Sequence, residues 1–150
     1  MGEVSFQRKL RKFKRIALDE MIFIYQFGKH RKFYPFTYYI FSLLDKKDLY
    51  VVTSLISLIE TISFPELEAR PALIESYKNF FIKTENLEAV SPNFEIADQA
   101  ALSRRKYDLR IPDAIQLATA MVSKAEVFIT NDDRFKKIKE FPILLLKDFV

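Results

Sequence analysis

The chain predicts an α/β fold in which a central, mainly parallel sheet is covered by helices on both faces. Three observations carry that expectation. Short apolar runs suited to buried strands alternate with stretches at helical spacing from Ile16 to Leu146. No long section reads as strands linked by hairpins. The chain has 150 residues, 49% of them hydrophobic and 29% charged, with only two glycines; it is the size of one domain and neither disordered nor low in complexity. Neither an internal repeat nor a second domain is visible.

The elements follow in order. Ile16-Ala17-Leu18 suits a short buried strand ended by Asp19. Met21 to Phe27 reads as one or two helical turns, although its aromatic and β-branched content also allows continued strand. Phe36, Tyr39, Ile40, Leu43 and Leu44 recur at helical spacing between Tyr34 and Leu44. Leu49 to Thr53 is a strand, and Ser54 is placed to cap a helix from Leu55 to Phe64 that Pro65 ends. In that helix Leu55, Leu58, Ile59 and Ile62 form the expected core stripe, and Glu60 lies roughly opposite, on a solvated face. A helix with Pro71 in its first turn spans Arg70 to Phe81, and a strand spans Leu87 to Val90. The helix Phe94 to Tyr107 carries a small face of Ala97, Ala100 and Ala101 that continues to Arg104. Such a face directs the guanidinium along a buried interface toward an acid or an anion, or lets it snorkel to solvent. Pro112 to Lys124 is apolar nearly all round and therefore buried on several sides. Val127 to Thr130 is a core strand, Asp133 to Ile138 a short basic helix, and Ile143 to Leu146 a last strand.

Composition removes several chemistries. Without cysteine there is no disulfide, no thiolate nucleophile and no Cys-ligated zinc. The single histidine, His30, lies in the basic run Lys29 to Lys32 and reads as a solvated surface residue, which argues against a Ser-His-Asp triad or a multi-His site. Hydrolytic chemistry would fall to carboxylates, and carboxylates without histidine usually imply a hard metal ion. Residues 1–15 hold six Lys/Arg against Glu3, a net +5, while the remaining 18 basic and 19 acidic residues leave −1. The positive charge thus reads as a basic N-terminal arm, residues 1–15, ahead of a single domain, residues 16–150. Such an arm attracts polyanions, or is a frayed, solubilising start. Asp19 and Glu20 interrupt the apolar run too early for a signal peptide, and no stretch approaches a membrane span, so a cytoplasmic protein is expected.

In a parallel α/β sheet ligands bind beyond the carboxyl ends of the strands, a rule that singles out Asp19 and Asp132. Asp113 joins them in the first turn of a buried helix, where the helix dipole favours negative charge. Each also has an ordinary reading as a turn residue or dipole partner.

Together with their surroundings these residues resemble the PIN-domain family, most closely its VapC-type toxin ribonucleases. PDAIQLATA followed by VFITNDDRF is similar to the family's C-terminal pattern, and Leu18-Asp19 before Ile22 to Tyr25 to its first strand and carboxylate. Ser54 and Glu60 in TSLISLIETISFP resemble the second motif, and Ala100, Ala101, Leu102, Arg104 and Tyr107 the helix before the third. The resemblance runs from about Lys14 to Phe149. It implies a PIN-like three-layer α/β/α sandwich and an acidic cluster of Asp19, Glu60, Asp113 and Asp132 as catalytic and metal-binding residues. Glu60 enters only on this ground. The same resemblance puts Thr130 and Asn131 at the edge of the cluster; Arg104, Arg134 and the basic arm are candidates for phosphate contacts.

Converging carboxylates repel one another unless a cation neutralises them, and an all-oxygen set suits Mg²⁺ or Mn²⁺. The implied activity is metal-dependent hydrolysis of RNA phosphodiesters, with an antitoxin protein and a second copy of the chain, in a homodimer, as implied partners. One departure stands out: Glu20 and Met21 occupy positions where the family commonly has a small hydroxyl residue and Asn. The alternatives are a non-catalytic PIN-like module binding RNA or protein, and a phosphoacceptor receiver domain. The latter needs an Asp where the middle strand ends in Thr53-Ser54.

Overall fold

Five short strands, all parallel, lie in the order β3-β2-β1-β4-β5 in the computed structural model, which describes residues 2–150. They are β1 Arg15–Leu18, β2 Tyr50–Ser54, β3 Leu87–Val90, β4 Phe128–Thr130 and β5 Ile143–Leu145. The helices are α1 Gly2–Leu10, α2 Glu20–Phe27, α3 Tyr34–Asp45, α4 Ile56–Ile62, α5 Pro71–Lys83, α6 Phe94–Tyr107 and α7 Ile111–Val122. Short 3₁₀ segments cover Pro65–Ala69, Asp133–Lys137 and Leu146–Phe149.

Strand periodicity explains the two cores. Ile16, Leu18, Val51, Val127 and Ile129 point into one apolar cluster, which α1, α2, α3 and Phe81 of α5 cover. Ala17 and Phe128 point the other way, onto Ile96 and Ala100 of α6 and the Ala114, Leu117 and Ala118 face of α7. Both faces of the sheet are buried, which is why its strands read as continuous apolar runs rather than alternating ones. This is the three-layer α/β/α sandwich expected, with a sheet that is wholly rather than mainly parallel.

Three sequence expectations require revision. Residues 2–10, read from their charge as an arm, form α1, because Phe6 and Leu10 at i, i+4 spacing are both fully buried while the basic residues take the outer face. Phe6 sits edge-on to Phe36 and Phe149, each at 5.3 Å between ring centroids. In α4 the buried residues are Ser57 and Thr61, not the aliphatic stripe, and Ile59 is 59% exposed. Hydrogen bonds offered from beneath draw the hydroxyl face inward, as described below. The expected helix over 133–138 is instead the 3₁₀ segment Asp133–Lys137.

Candidate active site

The connections out of the sheet place the site. Helices α2 and α3, which follow β1, pack on one face, while α6 and α7, which precede β4, pack on the other. Since β1 and β4 are neighbours, paired Ala17 to Phe128 and Leu18 to Ile129, a crevice opens beyond their carboxyl ends, where the strand order reverses.

Asp19 is the first residue past β1. It caps α2 from an extended backbone (φ −75°, ψ 160°), its Oδ1 accepting the Glu20 N–H at 2.9 Å. Asp132, two residues past β4, caps the 3₁₀ segment by accepting the Arg134 N–H at 2.9 Å. Thr130, the last residue of β4, ties the two together: its hydroxyl donates to Asp19 Oδ2 at 2.6 Å and accepts the Asp132 N–H at 3.1 Å. Asp113 comes from the opposite layer, in the first turn of α7, and its side chain is only 6% exposed.

A guanidinium stands among these acids. Arg134 grips Asp132 with its Nε at 3.0 Å from both carboxylate oxygens and Nη2 at 2.6 Å from Oδ2, and its Nη1 lies 3.6 Å from Asp113 Oδ2. Arg110 adds a second cation, with Nε 3.1 Å from Asp113 Oδ2. Burial acts to raise the Asp132 pKa, but the hydrogen bonds and charge of Arg134, with the charge of Arg110, hold it below the ordinary carboxylate range. Among the described residues Asp19 makes no ion pair. Burial first, then the adjacent Glu20 carboxylate, push it well above that range, against the Thr130 hydroxyl and the Glu20 N–H.

The other residues singled out from sequence are placed differently. Glu60 is exposed on α4 and, among the described residues, makes no hydrogen bond or ion pair with the three aspartates. Asn131 is 8% exposed and locked from both ends: its Oδ1 accepts the Lys147 N–H at 2.8 Å and its Nδ2 donates to the Tyr25 hydroxyl at 3.2 Å. Its side chain fixes the turn after β4, which leaves it little freedom to meet a substrate. Arg104 is exposed, donates to the Leu109 carbonyl at 2.9 Å, and lines a groove of about 540 Å³ with Ala97, Ala101, Ile111 and Ile115. The small face of α6 is thus divided: Ala100 is buried in the core, while Ala97 and Ala101 border an open groove. Arg11 and Lys14 line a cavity of about 600 Å³ with Lys46 and Lys47 at the amino ends of β1 and β2, at the opposite end of the sheet from the aspartates. At the departure from the family pattern, the Met21 sulfur accepts the Asn131 N–H at 3.2 Å, so this residue supports the turn beside the site.

Sequence reasoning missed a polar scaffold beneath the cluster. Gln116, one turn beyond Asp113 on α7, donates from Nε2 to Ser57 Oγ at 2.9 Å. Ser57 lies 2.6 Å from Thr53 Oγ1, and Thr53 donates to the Leu18 carbonyl at 2.7 Å. Since Thr53 spends its proton on Leu18, Ser57 must be the donor between the two hydroxyls, so every donor in the chain points from α7 toward β1. Gln116 Oε1 also accepts the Ser54 N–H at 3.3 Å. The signal was a lone amide in an otherwise apolar helix.

Asp19, Asp113 and Asp132 supply only hard oxygen donors, which fits Mg²⁺ or Mn²⁺ in kind. The Arg134 guanidinium, bridging two of them, shows that the crevice already receives a cation. Among the described residues no group of three potential ligands stands close enough to share an ion, so the ion would rest on one or two of these carboxylates and on water.

The family model described as PIN domain matches residues 16–141. No curated protein matches the chain. Among solved structures, the chain is similar to one in the complex of VapBC2 from Rickettsia felis bound to a DNA fragment from their promoter. That likeness has a TM-score of 0.68 and 20% identity, over 87% of this chain and 98% of the other. It is also similar to one in a toxin-antitoxin complex from Klebsiella pneumoniae, with a TM-score of 0.60 and 21% identity, over 87% and 97% of the two chains.

Proposed function

The chain belongs to the PIN-domain family, and on that premise we propose that it is a metal-dependent endoribonuclease, the toxin of a toxin-antitoxin pair. The observation that supports this reading best is the meeting of Asp113 and Asp132 on one cation, with Thr130 joining Asp132 to Asp19, at the crevice where the strand order reverses. Mg²⁺ or Mn²⁺, when bound, lowers the pKa of a bound water and stabilises the leaving oxygen of a phosphodiester. Asp19, Asp113 and Asp132 would hold the ion, and Glu60, exposed on α4, joins them on the family resemblance alone. Thr130 fixes the orientation of Asp19, while Arg110 and Arg134 meet the phosphate charge of the substrate. Arg104 contacts RNA beyond the scissile bond. The partners proposed are RNA, an antitoxin and a second copy of the chain; the two solved toxin-antitoxin complexes of similar fold support the second of these.

The test is cleavage of labelled RNA by the purified protein with Mn²⁺ or with EDTA. Metal-dependent products are expected, with the rate falling at least ~100-fold in Asp113→Asn, which removes an ion ligand without changing its volume. A second reading, a PIN-like module that binds RNA without cutting it, is favoured by the presence of Arg134 among the ligands. Metal-independent RNA binding with no cleavage across a broad RNA panel would establish it and end the nuclease reading.

A further inference from the structure

We propose that Arg134 is a resident counter-ion of the carboxylate cluster, competing with the divalent ion for Asp132 and Asp113 and leaving the crevice as the ion enters. The inference rests on the metal-dependent reading above and concerns how that site is loaded.

Geometry carries it. The guanidinium makes a forked contact with Asp132 and reaches Asp113, so it takes up the same oxygens that an ion would need. One planar cation with a fixed donor fork cannot share those lone pairs with a metal that demands octahedral oxygens. The exposures differ in a way that gives the contact a direction. The side chains of Asp113 and Asp132 are 6% and 13% exposed, while that of Arg134 is 47% exposed. The acids are held in place and the arginine has an open path to solvent.

The backbone of Arg134 lies in the 3₁₀ segment Asp133–Lys137, which the fully buried Phe135 anchors beside it. Release therefore needs rotation of one side chain and no movement of the main chain. Among the described residues Asp19 makes no ion pair; its oxygens accept the Thr130 hydroxyl and the Glu20 N–H. Arg134, once displaced, stays within a side chain's length of the cluster, where a bound phosphate needs a positive charge.

Titration of the metal-free protein with Mn²⁺, followed by calorimetry, tests this without reference to activity. Arg134→Ala is expected to bind Mn²⁺ about tenfold more tightly than the parent, because the ion no longer competes with an occupied state. Arg134→Lys keeps the charge but loses the fork, and is also expected to bind more tightly. In RNA cleavage at saturating Mn²⁺ both variants are expected to be slower, since the freed cation is missing or misshapen. Equal affinity in all three proteins overturns the inference and leaves the nuclease reading intact. Tighter binding by Arg134→Ala with parental affinity in Arg134→Lys also overturns it, because general repulsion by a nearby charge then suffices. Absence of Mn²⁺ binding in every protein removes both the inference and the metal-dependent reading.

Discussion

Asp19 shows how much a single residue's position can be read from sequence and how little of its chemistry. The strand-end rule places it at the crevice, and the structure gives it 1% exposure with hydrogen bonds from two neutral donors. Its burial depends on how α2 folds over the strand end, which no local pattern announces. Its folded pKa lies well above the ordinary value near 3.8, so the folded protein takes up a proton there before the unfolded chain does. The sign follows: the stabilising contribution is present at acid pH and is lost as pH rises through the folded pKa. Asp132 behaves oppositely, since its lowered pKa gives stability that is lost as pH falls. Asp19→Asn keeps an oxygen for the Glu20 N–H and can donate its amide to the Thr130 hydroxyl. In EDTA the variant is therefore expected to be more stable than the parent at neutral pH, with the difference closing in acid. Urea unfolding across that range measures it, and a variant less stable than the parent at neutral pH would refute the account.

At the scale of elements, α4 and α7 show where hydrophobic periodicity misleads. Leu55, Leu58, Ile59 and Ile62 are spaced like a core stripe, yet Ser57 and Thr61 are the residues α4 buries. Two hydrogen-bonding demands decide the rotation of the helix. Gln116 donates to Ser57 from α7, and Ser57 meets Thr53 in β2; turning the aliphatic stripe inward would take the acceptor away from the buried Gln116 amide and the Ser57 donor away from Thr53. A buried polar group left without its partner costs about 1–3 kcal/mol, comparable to what one aliphatic side chain gains by burial. Sequence alone marks Gln116 as unusual within an apolar helix but cannot name its partners, because they come from β2 and α4, about sixty residues earlier. Gln116→Leu fits the volume approximately and leaves the Ser54 N–H unsatisfied. A loss of about 1–3 kcal/mol is expected, read as a lower urea midpoint at an unchanged slope. A loss under ~0.5 kcal/mol would mean that the amide only fills space.

For the whole molecule, the alternation of strands and helices revealed the layer order, and strand-end logic found two of the proposed ligands, Asp19 and Asp132, with helix-start logic adding Asp113, because all depend on short-range patterns. The role of the N-terminal segment depends on a long-range contact and was hidden by its charge. Helix α1 places Phe6 and Leu10 in the same core as Ile16, Leu18 and Val127, and brings Phe6 against Phe149 near the other end of the chain. Its basic residues are therefore held on the structured body: Arg11, just past the helix, donates to the Tyr39 hydroxyl at 2.6 Å, while Arg15 in β1 donates to the Ser123 carbonyl at 2.8 Å. The two readings make opposite predictions for one substitution. If the segment were an appended arm, Phe6→Ala would change stability by less than ~0.5 kcal/mol, as exposed sites do. As a fully buried ring between Phe36 and Phe149, it should cost about 3–5 kcal/mol, through lost burial and the cavity left behind. Thermal and urea unfolding of the variant should show one transition displaced as a whole, since α1 shares the core on which the sheet rests. A separate early transition, with the main one unmoved, would return the segment to the status of an arm.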